Sequence, residues 1–148
     1  MSDESALNFG RRKEDTLRER REKIVNQHIE AENKGDLDGV IASFYKPHYE
    51  VIPMAAVVDG EKEVRELIGS LTNSFPDFHV ELITLYHSDN AVIIEARMTG
   101  THQKEFAGMQ PKGKKMDVRL AAIFDFDEDK LVNESVYFDF ATLQQQIS

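Results

Sequence analysis

The sequence predicts an α+β domain, and three observations predict it. Apolar residues recur at helical spacing through most of the first half, while period-two alternation fills the second half. The alternating segments come in hairpin-linked pairs, which gives a mainly antiparallel sheet with helices gathered on one face. The length of 148 residues suits one domain with one core.

The first helix is expected from Asp15 to Lys34, where Leu17, Ile24, Val25, His28, Ile29 and Glu32 follow helical spacing and Gly35 supplies a stop. Asp36 caps a second helix with Leu37, Val40, Ile41 and Phe44 on one face, and Pro47 ends it. Residues 48–53 alternate as a short strand, and Asp59-Gly60 forms a turn. A third helix carries Val64, Leu67, Ile68 and Leu71 until Phe75-Pro76-Asp77 breaks it. Residues 78–87 and 91–101 read as one hairpin, residues 116–127 and 130–139 as another. The glycine-bearing stretch from Gly100 to Lys115 is a long loop between them, and Ala141–Ile147 is a short closing helix. Residues 1–13 are polar without periodicity and read as a flexible N-terminal tail; residues 14–148 form a single domain.

Hydrophobic residues make up 41%, and 27 acidic against 18 basic residues give a net charge of −9. That balance argues against nucleic acid as a partner, because phosphate neutralisation needs a basic surface. The basic residues from Arg11 to Lys23 are interleaved with Glu14, Asp15, Glu19 and Glu22, as on a solvated helix face with local charge pairs. The absence of cysteine excludes disulfides, thiolate metal sites and a Cys nucleophile. No apolar run approaches the roughly 20 residues of a membrane span, so no membrane partner is expected. The N-terminus lacks the apolar stretch of a secretory signal, and a cytoplasmic location is expected.

Several segments together carry a resemblance: "NKGDLDGVIASFY" across the second helix, Asp59-Gly60, "SFPDFHVEL" at 74–82, "GTHQKEFAGMQPKGKKM" at 100–116 and "ESVYFDF" at 134–140. Over residues 22–147 the chain resembles the SnoaL-like polyketide cyclases of the nuclear-transport-factor-2-like superfamily. The resemblance implies a cone-shaped fold, with a curved sheet wrapped on three helices around a pocket, and a homodimer formed through the sheet. It also implies cofactor-free acid–base chemistry, an intramolecular aldol closure of an aromatic polyketide ester. In those cyclases an aspartate three residues before a final Asp-Phe pair is the acid/base. Here the pair is Asp139-Phe140 and that position is Val136. The supporting polar positions fall on Leu120, Ala122 and Val51, so all four are aliphatic.

Other residues remain as candidates for proton transfer. Glu134 shares strand parity with Val136, and a carboxylate in an apolar pocket has a raised pKa. Asp139 is either a base at the strand end or the cap of the closing helix. His102, in the "GTH" segment, either relays a proton or bonds to backbone. His28 lies on the apolar side of helix one as a buried, hydrogen-bonded histidine.

Parity places Leu120, Ala122 and Phe124 on one face, matched across the hairpin by Val136 and Phe138. Tyr49, Val51 and Met54 join them as expected ligand contacts, with Phe106 and Met109 at the pocket mouth. No histidine pair has zinc-ligand spacing, "GMQPKGK" is not a nucleotide loop, and no GxSxG elbow occurs. The expected ligand is an apolar or aromatic small molecule, with no cofactor and no metal. Three classes stay open: a cofactor-free cyclase or isomerase, a non-catalytic binding module, and an interaction scaffold with a filled core. The first two require a cavity of about 300 Å³ or more.

Overall fold

The computed structural model describes residues 2–148, with side chains from Asp15 onward. Its elements are α1 (Ser2–Asn33), α2 (Leu37–Ser43), β1 (His48–Val51), a 3₁₀ turn (Ile52–Met54), β2 (Ala56–Asp59) and α3 (Gly60–Ser74). There follow β3 (His79–His87), β4 (Ala91–Thr101), β5 (Lys115–Asp127), β6 (Lys130–Phe138) and α4 (Phe140–Ile147). The six strands make one sheet in the order β2-β1-β6-β5-β4-β3. Its pairs are antiparallel except β1 with β6, which run parallel with Tyr49 opposite Glu134 and Val51 opposite Val136. Helices α1 and α3 pack against the strands, and α2 lies against both, giving the expected α+β cone.

Two boundaries differ from expectation. Helix α1 extends back from Asp15 to Ser2, over the stretch read as a tail; the side chains of residues 1–14, including Arg11, Arg12 and Lys13, lie outside the described set. Strand β2 was not foreseen. It is only four residues long, too short to show a period, and it is reached through Pro53 and through Ala55 in the left-handed region at φ 50°.

Hydrogen bonds fix how α1 sits on the sheet. The Asn33 amide donates to the Val80 carbonyl (2.9 Å) and its carbonyl oxygen accepts from the Val80 N–H (2.7 Å). It thereby satisfies a backbone pair on the edge strand β3, where no neighbouring strand can. At the other end Arg21, expected on a solvated face, is 4% exposed. Its guanidinium donates to the carbonyls of Glu128 (2.7 Å) and Asp89 (2.9 Å), one in each hairpin turn, and lies over the Phe126 ring. The inner faces of β4, β5 and β6 then close on α1 and α3 as a single apolar core.

Candidate functional site

Sheet register assembles one wall of a cavity. Leu120 faces Phe138, Ala122 faces Val136, and Phe124 faces Glu134 across β5 and β6, so the period-two face continues without a slip at these residues. The parallel partner β1 extends this face through Tyr49 and Val51. Helices α1 and α3 supply the opposite wall with Ile29, Glu32, Leu67, Ile68 and Leu71, and Phe106 and Ala107 reach it from the loop. The enclosed volume is about 190 Å³. This is smaller than the ~300 Å³ expected, and typical of a site for less than a drug-sized ligand. A cavity of about 150 Å³ is known to hold one benzene ring, which sets the scale.

Of the residues expected to contact a ligand, Tyr49, Val51, Met54, Phe106, Leu120, Ala122, Phe124, Val136 and Phe138 line the cavity. Met109 does not line it. It forms a two-residue bridge back to Phe106 around Ala107 and Gly108, both at positive φ, and packs on the core beside the mouth.

The three proposed proton carriers part company. Glu134 is 3% exposed and lines the cavity. Asp139 is exposed and caps α4, accepting from the Thr142 N–H (3.2 Å) and hydroxyl (2.8 Å). Those donors hold its carboxyl below the usual range, so it is a helix cap off the cavity rather than its base. His102 is fully buried but does not line the cavity; it stacks on Phe75 at 5.3 Å and 24°, and its backbone pairs with Lys114 and Gly113. Its ring therefore does not face that cavity.

The partner of Glu134 comes from α1, at positions the spacing placed on the apolar stripe. His28 Nε2 lies 3.1 Å from Glu134 Oε2 and 3.6 Å from Glu32 Oε2. The 3.1 Å contact is an ion pair off the line of a hydrogen bond, which leaves Glu134 Oε2 without a donor. On the other side of the ring, His28 Nδ1 is 2.8 Å from Ser43 Oγ. Ser43 gives its own proton to the Val40 carbonyl (2.5 Å), so Nδ1 carries a hydrogen and donates it to Ser43.

Burial opposes charge on this imidazole, but Glu134 and then Glu32 outweigh it and raise its pKa from 6.5 to about 9. Both ring nitrogens are then protonated at neutral pH. Burial lifts Glu32 from 4.5 to about 7; the His28 charge pulls it down and Glu134 pushes it up. Burial and the two glutamates hold the Tyr49 phenol well above its ordinary value, so it stays a neutral donor.

Glu32 and His28 are the site residues the sequence did not nominate as proton carriers. Their signal was present as two ionisable groups at i, i+4 inside an apolar stripe, with the buried Val25 and Ile29 on the same face. The described residues hold no cluster of metal-binding side chains with metal-site geometry.

The family model of the SnoaL-like polyketide cyclases matches residues 22–147. No curated protein sequence matches the chain. Among solved structures, a polyketide-cyclase-like protein from Xanthomonas campestris pv. campestris superposes with a TM-score of 0.79 at 19% identity, covering 89% of this chain and 99% of that one. A SnoaL-like structure from Jannaschia sp. CCS1 gives 0.78 at 19% identity, over 87% and 92%. A protein of ketosteroid isomerase-like fold from Catenulispora acidiphila, solved with trimethylamine, gives 0.72 at 16% identity, over 84% and 91%. At these identities the likeness concerns the fold.

Proposed function

Because the chain belongs to the SnoaL-like polyketide cyclase family, we propose that it transfers protons, without a cofactor, on a small aromatic carbonyl compound held in the cavity, as in a cyclisation or isomerisation. The observation that carries this reading is the Glu32–His28–Glu134 cluster, with both carboxylates on the wall of an apolar cavity. Glu32, with its pKa near 7, exchanges a proton with carbon beside a carbonyl at neutral pH, where a general base works best. His28 and Glu134 set its charge state, and the Tyr49 phenol is the available donor to an enolate oxygen.

The aliphatic side chains at Val51, Leu120, Ala122 and Val136 line the cavity, so the family's last-strand acid/base has no counterpart at its own position. The carboxylates stand instead at Glu134, two residues earlier on the same face, and at Glu32 across the cavity. The volume of about 190 Å³ favours a ligand with one ring in the cavity over a fused polycycle.

The test is α-proton exchange of phenylacetone, a one-ring ketone, in D2O, followed by NMR. The wild type is expected to exceed the buffer rate at pH 7. Glu32→Gln and Glu134→Gln are each expected to lower that excess by ~100-fold or more. No excess in the wild type would favour a binding module without chemistry.

The same reading carries a homodimer through the outer face of the sheet. Tyr86, Ile93 and Ile123 are paired in a row across that face, with Tyr137 beside it, and Tyr86 and Tyr137 are exposed. Sedimentation of the wild type against Tyr86→Glu and Tyr137→Glu tests it: a dimer that becomes a monomer is expected, and unchanged mass contradicts it.

A further inference from the structure

The charges around the cavity are of one sign. Besides Tyr49, its ionisable lining residues are Glu32, Glu134 and, at the mouth, Glu105; among the described residues no lysine, arginine or histidine lines it. His28 stands behind the wall and brings one positive charge against two carboxylates. Glu32 is 7% and Glu134 3% exposed, too little for water to solvate an unpaired negative charge. Among the described residues Glu134 Oε2 has no hydrogen-bond donor, and the Glu32 carboxylate has the His28 ring, at 3.6 Å, as its ion-pair partner. Buried acceptors facing a cavity require donors, and among the described residues only the His28 imidazole brings them a positive charge, the Tyr49 phenol being neutral. The rest of the wall includes the rings of Tyr49, Phe78, Phe106, Phe124 and Phe138, whose faces attract cations.

We propose that the one-ring carbonyl compound held in this cavity also carries an amine, whose ammonium group pairs with Glu32 and Glu134. This deepens the proposed function and rests on the same cavity being the ligand site, but not on turnover. An ammonium does for the cluster what a proton on Glu32 does in its absence: it supplies the missing positive charge. Binding near pH 6.5 therefore displaces that proton and leaves Glu32 as a carboxylate, the form that acts as a base. The groups facing Glu32 are His28 on its own helix, Glu134 on β6, Tyr49 on β1 and Glu105 at the mouth; the cavity-lining residues of α3 carry no charge.

The test compares phenethylamine, 2-phenylethanol and phenylacetate, three probes of similar size, by titration calorimetry on the full chain at pH 8. Phenethylammonium is expected to bind about tenfold or more tightly than the alcohol. Phenylacetate is expected not to bind. At pH 6.5, buffers of different ionisation enthalpy are expected to reveal proton release with the amine and none with the alcohol. Glu32→Gln is expected to erase the amine's advantage over the alcohol and the proton release. Glu134→Gln supplies a second, independent removal of charge, and thermal melts establish that each variant is folded. Equal affinity for amine and alcohol, no binding by any of the three, or an advantage that survives both substitutions overturns the proposal. Amine binding without α-proton exchange removes the catalytic reading and leaves this one; exchange of phenylacetone with no preference for the amine does the reverse.

Discussion

His28 is an ionised histidine in a place where burial alone would make it neutral, and two glutamates reverse the outcome. The consequence is visible in stability. Glu32 and His28 each bind their proton more tightly in the folded chain, with pKa values raised from 4.5 to about 7 and from 6.5 to about 9. Between those limits the native state holds more protons than the unfolded one, so stability falls as pH rises. Denaturant melts are expected to show a decline from about pH 4.5 to 9, and Glu32→Gln is expected to flatten its lower part, from about 4.5 to 7. A stability that rises over that lower range would contradict the assignment. Asp139→Ala is expected to lower the melting temperature modestly by removing the α4 cap, with α-proton exchange unchanged. At this scale Glu134 was legible because strand parity fixes which way a side chain points. The Asp139 cap was legible only as one of two alternatives. Glu32 was hidden because a charged residue on a helix is ordinarily solvated, and only the depth of α1 against the sheet shows otherwise.

Elements of this fold are joined at a few points where chemistry, not periodicity, decides. Arg21 bolts α1 to two hairpin turns with a fork of donors that lysine cannot reproduce. Both Arg21→Ala and Arg21→Lys are expected to destabilise the fold by about 1–3 kcal/mol, read in urea melts. Gly39 is a second such point: a Cβ there would stand 2.5 Å from Asp36 Oδ2, the α2 cap, and 2.9 Å from Ala31 Cβ on α1. Gly39→Ala is expected to cost about 1–3 kcal/mol by pushing the two helices apart. The long helices and both hairpins were readable from spacing, since each spans enough residues to show its period. Strand β2 was not, because four residues between a 3₁₀ turn and a helix show none. Nor was the burial of Arg21, because the carbonyls it meets lie 68 and 107 residues away along the chain.

Across the whole molecule, the sheet and the helices enclose one cavity that places charges from opposite walls in a single cluster. Glu134 is on the last strand and Glu32 on the first helix, so the cluster forms only when the chain has closed. That explains why the aromatic and aliphatic lining was largely readable from strand parity while the acid–base unit was not. The cavity is also smaller than expected, about 190 Å³, with Ile29 and Glu32 of α1 and Glu105, Phe106 and Ala107 of the loop on its wall. A ligand that binds only the folded chain adds about 2.7 kcal/mol of stability at a hundredfold excess over its dissociation constant. Thermal shifts are therefore expected from one-ring compounds and not from fused polycycles, and a larger shift from a four-ring compound would contradict the cavity's size.

Glu32, His28 and Glu134 together make a proton-holding unit at the cavity wall. An NMR pH titration of ¹³C-labelled glutamate carboxyls and ¹⁵N-labelled histidine rings tests it most directly. A His28 ring protonated at both nitrogens until about pH 9 and a Glu32 carboxyl that titrates at about 7 are expected. A neutral His28 at pH 7, or a Glu32 that titrates near 4.5 like an exposed glutamate, would contradict it.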